Sequence, residues 1–249
     1  MKRILSILVL ILLISSLSGC KGAKTLATDN EIENLFEMLE EYFNENDYSY
    51  KFTTTHSYKE KTKEGSEIIK QTTKGVVTYD YEDGFYSKSY EASGKITEKS
   101  VKPTLKGKEK EKTTINESVV YLSAAHRNKA ESICYIDRDL TYKNAEGKTT
   151  SNIKTTLSSS TRLSIVSVTS FIDDICRESN YFYVKGNQYK VVVSGSDYIK
   201  EYIVVFDGND IKSITYIYES HYAKTTTKVK FVDYQKIEKP KNASDYETE

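Results

Sequence analysis

Side chains that commonly carry chemistry are sparse in this 249-residue chain: Cys20, Cys134 and Cys176, His56, His126 and His221, and the adjacent carboxylates Asp173 and Asp174. A zinc site wants His or Cys ligands at short, repeated spacings. The three histidines are dispersed among polar segments, so no metal site is expected. Adjacent aspartates on a helix diverge by about 100° and do not converge on one bond. No phosphate-cradling glycine loop and no strand-turn-helix nucleophile motif is present. The expectation is a non-catalytic protein with no catalytic residue and no soluble cofactor.

Cys20 stands in a more informative context. Lys2 and Arg3 precede an apolar run from Ile4 to Ile14, broken only by Ser6, and Leu17-Ser18-Gly19 leads into the thiol. A run of about eleven residues at about 1.5 Å each falls short of a hydrocarbon core of about 30 Å, so the segment reads as an export leader, not a permanent span. Leu17, Ser18, Gly19 and Cys20 resemble the bacterial lipoprotein lipobox at all four positions. The resemblance implies a diacylglyceryl group on the Cys20 sulfur and cleavage between Gly19 and Cys20. It makes residues 1–19 a signal peptide and 20–29 a tether, and places the protein on the extracytoplasmic face of a cell membrane. Two acyl chains, at about 0.8 kcal/mol per buried methylene, hold such a protein without a transmembrane helix. An ordinary secretory signal with a chance cysteine is the alternative.

The whole chain balances 36 basic against 36 acidic side chains, and losing Lys2 and Arg3 leaves a slight acidic excess. That argues against a nucleic-acid partner, whose footprint is a basic excess. With 21 Tyr, 8 Phe and no Trp, and with abundant Thr and Ser, the composition leans toward sheet. Cys134 and Cys176 remain after Cys20. In an exported protein they are compatible with one disulfide or with two separately buried thiols.

The elements that must position these residues follow from periodicity. Thr28 and Glu31 have capping-box spacing, and Ile32, Leu35, Phe36, Leu39, Tyr42 and Phe43 form one apolar stripe of a helix. From Tyr48 the period changes to two, and Asp83-Gly84 and Ser93-Gly94 read as turns in an antiparallel meander. Residues 95–118 mix lysines and glutamates around Pro103 and Gly107. They read as a charged loop or frayed hairpin insert, and a basic arm touching anionic lipid or wall polymer is the functional alternative. Thr161 to Arg177 reads as a second helix, with caps at Ser158–Ser160. Five strands follow between Tyr181 and Tyr234, separated by short turn-rich spacers, and the tail from Gln235 is expected to be disordered.

This order of elements, closed by Phe206–Lys212 and by the strand Lys228–Tyr234, resembles the LolA/LppX-like group of envelope lipoproteins and carriers over roughly residues 30–236. The resemblance implies an α+β fold: a strongly curved antiparallel sheet, an incomplete β-barrel, with two main helices packed on its concave side. It also implies a space between sheet and helices for a lipid or other hydrophobic ligand, with Leu35, Phe36, Leu39 and Phe171 as candidate lining or core. The expected function is therefore a membrane-anchored binder of an amphiphile. The alternative is a surface interaction or envelope-sensing protein with a filled core.

Overall fold

Alternation with a period of two governs most of the chain. The computed structural model describes residues 25–44, 46–82, 85–105, 107–126, 129–157, 161–177 and 180–248. The leader, Cys20, Asp83-Gly84 and Ser158–Ser160 lie outside the described residues. The strands are β1 (Thr25–Leu26), β2 (Tyr48–Thr62), β3 (Gly65–Glu82), β4 (Phe85–Thr104), β5 (Gly107–His126), β6 (Lys129–Lys143) and β7 (Lys148–Leu157). After them come β8 (Tyr181–Lys185), β9 (Gln188–Ser194), β10 (Tyr198–Asp207), β11 (Asp210–Ser220), β12 (Ala223–Val232) and β13 (Glu247–Thr248). Two helices, α1 (Asp29–Phe43) and α2 (Val168–Ile175), complete the fold.

All these strands join one curved, unclosed sheet in the order β1-β8-β9-β10-β11-β12-β2-β3-β4-β5-β6-β7-β13. Every pairing is antiparallel except β13 on β7. The C-terminal meander thus meets the N-terminal one where β12 pairs with β2, Phe231 opposite Tyr50 and Val229 opposite Phe52.

Residues directly opposed in register share a face. The face that carries Tyr50, Val77, Phe231 and Tyr202 receives both helices. On α1, Leu35 and Leu39 are wholly buried. Phe36 meets Phe182 of β8 edge-on at 5.7 Å, and Tyr42 meets Phe231 at 5.2 Å. Phe171 of α2 lies 5.0 Å from Tyr216 and 5.5 Å from Tyr202. The start of α1 is the expected capping box, with the Glu31 carboxylate accepting from the Thr28 N–H at 2.8 Å and Thr28 Oγ1 accepting from the Glu31 N–H.

Four expectations need correction. Ser93-Gly94 is not a turn: both residues lie inside β4. Residues 95–118 form the hairpin, one of the two expectations, but as the facing halves of β4 and β5, paired outward with β3 and β6, and not as a loop or a frayed insert. The second helix covers only Val168–Ile175, because side chains from the sheet occupy the backbone before it. Glu117 accepts from the Arg162 N–H at 2.9 Å, the Gln71 amide donates to the Arg162 carbonyl, and the Tyr50 hydroxyl donates to the Val166 carbonyl at 2.9 Å. Residues 161–167 therefore cross β2–β5 without helix, bending at Arg162 and Leu163. The tail has a described path as well: Gln235 binds Ser49 and Thr78, a 3-10 turn spans Ala243–Asp245, and β13 pairs with β7.

Candidate functional site

The interior comes first, because it holds the residues expected to line a cavity. Leu35 and Leu39 have no exposed surface, Phe171 is 8% exposed, and Phe36 packs against the same cluster. Their neighbours are other core side chains: Tyr50, Tyr202, Phe206 and Ile214, each at most 2% exposed. The sequence brought these four residues to the right place, between helices and sheet, where they pack as core.

The two thiols are free and separate. Cys134 is buried beside Tyr90 and Tyr121, and burial together with the Glu117 carboxylate pushes its thiol up to about 11. Cys176, at the end of α2, is exposed, and partial burial with Asp173 and Glu40 also raises it. Neither is primed as a thiolate nucleophile. Glu117 is itself paired, accepting from Arg138 Nε at 2.5 Å and from the Thr161 hydroxyl. His56 donates to or accepts from the Thr225 hydroxyl at 2.9 Å, and burial lowers its pKa. Among the described residues no group of His, Cys, Asp and Glu side chains has metal-binding geometry.

The opposite face of the sheet is different in character. A groove of about 500 Å³ crosses it under the C-terminal segment, floored by Val76 and Val120, edged by Lys51 and Lys74, and closed by Pro240 and Tyr246. Tyr246 meets Tyr135 edge-on at 5.4 Å, and the Lys239 ammonium sits over the Tyr135 ring at 5.8 Å. A second groove, about 460 Å³, continues from Lys74, Ser93 and Ser118 to Lys95, Asn116 and Asp139.

Beyond the grooves, toward the hairpin tips, the register produces two aligned rows. Lys99 of β4 opposes Lys112 of β5, Lys112 opposes Lys143 of β6, and Lys143 opposes Lys148 of β7. Two residues along each strand, Thr97, Thr114, Thr141 and Thr150 oppose one another in the same way. Adjacent strands lie about 4.8 Å apart, so each row spans about 14 Å. All four lysines are exposed, and none enters an ion pair among the described residues.

Glu98, Glu109 and Glu111 of these strands point the other way, whereas Glu91, Asp137 and Asp139 share the open face nearer the grooves. The run Lys108-Glu109-Lys110-Glu111-Lys112 looks neutral on average, but strand alternation sends its lysines to one face and its glutamates to the other. Glu60, Glu67, Glu98 and Glu111 line a pocket of about 420 Å³ on the helix-bearing face. There Glu111 accepts from the Tyr142 hydroxyl at 2.9 Å and from Ser100 at 3.1 Å, contacts that hold its carboxyl below the ordinary range. Sequence reasoning singled out the basic stretch but not this segregation, whose signal is the strict alternation itself.

No family model matches the chain, and neither a curated protein nor a solved structure matches it.

Proposed function

We propose that the chain is a lipid-anchored extracytoplasmic binding module, non-catalytic, that recognises its partner on the open face of the sheet. The observation that carries this reading is the division of labour between the two faces. Every residue expected to line an internal cavity is spent on helix packing, and the pocket left on that face is acidic. The two apolar-floored or basic grooves, and the lysines with no ion pair among the described residues, lie on the other face. The helix-bearing face is read as the concave one, in line with the resemblance to half-barrel lipoproteins. Anchoring rests on Leu17-Ser18-Gly19-Cys20, with the lipid on Cys20 and the membrane as the first partner.

A second reading keeps an amphiphilic ligand but moves it to the groove under the C-terminal segment. The apolar floor of Val76, Val120 and Tyr135 beside the cations of Lys51 and Lys74 favours that placement. One experiment addresses both readings: native and peptide mass spectrometry of the full chain extracted from membranes of a bacterial host. The expected result is an acylated peptide beginning at Cys20, lost in Cys20→Ala, with no additional lipid on the folded protein. An unmodified Cys20 overturns the anchored reading, and a stoichiometric co-purified lipid selects the second reading.

A further inference from the structure

We infer that the double row of Lys99, Lys112, Lys143 and Lys148 with Thr97, Thr114, Thr141 and Thr150 is a binding site for a linear phosphate polymer. The inference deepens the proposed open-face reading by naming the partner's chemistry. Its first support is energetic. Like charges directly opposed on a sheet are destabilising, yet this register stacks four in succession with no carboxylate among them. Glu146, in the turn between Lys143 and Lys148, makes no ion pair with either among the described residues. Lysines on an edge strand guard against sheet-to-sheet pairing, which accounts for Lys148 on β7. That role does not extend to Lys99 and Lys112 on the interior strands β4 and β5.

The second support is geometric. Lysine positions on four neighbouring strands repeat at about 4.8 Å along a line, the arrangement that meets charges repeating along a chain. A parallel row of hydroxyl groups supplies the second kind of donor that commonly binds phosphate oxygens. Lys110 and Lys95 extend the positive field on the same face, Glu98, Glu109 and Glu111 face away, and Asp139 bounds the field beyond the threonine row. A membrane surface fits less well. The chain enters the sheet at Thr25 on β1, eight strand spacings from β4, and a leash from Cys20 to Thr25 reaches at most about 18 Å.

The test uses the full chain in non-ionic detergent and fluorescently labelled inorganic polyphosphate as the probe, followed by anisotropy. Binding is expected to weaken steeply with salt. The variant K99Q/K112Q/K143Q/K148Q is expected to lose about tenfold or more in affinity and about three from the slope of log K against log salt. Its Tm should be no lower than the parent's. A remote variant of equal charge change on β8, β9, β11 and β12, K185Q/K190Q/K212Q/K224Q, should bind as the parent does. The inference is overturned if polyphosphate does not bind, if pyrophosphate binds as tightly, or if the two variants lose affinity equally. Tighter binding of duplex DNA, or of micelles doped with phosphatidylglycerol, overturns it in favour of those partners. Loss of polymer binding with Cys20 acylated defeats this inference alone, and polymer binding with Cys20 unmodified defeats only the anchor.

Discussion

At the scale of single residues, Asp174 shows how α2 is tied to the sheet. Its carboxylate accepts from Lys200 Nζ at 2.8 Å and from the Tyr202 hydroxyl at 2.6 Å, and Arg177 approaches to 3.1 Å. Burial pushes its pKa up, but the bonds from Lys200 and Tyr202 and the charges of Lys200 and Arg177 outweigh that and leave it below the ordinary carboxylate value. Tyr202 is shifted upward, by burial first and then by its bond to Asp174. A carboxyl depressed in the folded state stabilises that state above its unfolded pKa, and the contribution fades as pH falls through the folded one. Urea midpoints measured between neutral pH and pH 3 should therefore fall with acid more steeply in the parent than in Asp174→Asn. At neutral pH that variant should be less stable by about 1–3 kcal/mol, the usual cost of losing hydrogen bonds to a charged group. Equal acid sensitivity in both proteins would mean that Asp174 is not held in this way.

At the scale of elements, glycines inside strands mark where neighbouring groups come too close for a side chain. A Cβ on Gly75 would sit 2.3 Å from the Glu91 carbonyl oxygen and 2.9 Å from the Ala92 Cα, and one on Gly94 would meet the Thr72 carbonyl and Leu163. Those neighbours of Gly75 are backbone and cannot yield, so Gly75→Ala should destabilise by about 1–3 kcal/mol in chemical denaturation, as overpacking does. Stability equal to the parent's would show that β3 and β4 can separate at this point. The same glycines explain what could be read from the sequence and what could not. The strands after Tyr181 were legible because each is short and bounded by turn chemistry; β8 runs from Tyr181 to Lys185 as expected. Strands β3 to β5 were not, being 18 to 20 residues long, with a glycine inside β4, Gly94, that imitates a turn. The stripe of Leu35, Phe36 and Leu39 was visible in the sequence, but whether it met a ligand or a tyrosine-rich sheet depended on the strands opposite. The lysine row was invisible because it exists only in the register between four strands.

At the scale of the whole molecule, an open sheet must manage two edges, and here each ends in a two-residue strand. β1 caps β8, and β13 caps the last residues of β7. A short edge strand offers little template for another sheet. β13 reaches its place only because residues 235–248 cross the open face, tied by Gln235 to Ser49 and by Tyr246 to Tyr135. Tyr135 is 4% exposed under that cover. Ending the chain after Gln235 should therefore have two linked effects. Tyr135 and the groove floor become wet, which costs about 1–3 kcal/mol if a ring of that size loses most of its burial. The end of β7 loses its neighbour, so edge-to-edge pairing becomes available and association should grow with concentration in analytical ultracentrifugation. A truncated chain that stays monomeric at every protein concentration would show that the C-terminal segment covers the groove without guarding the edge.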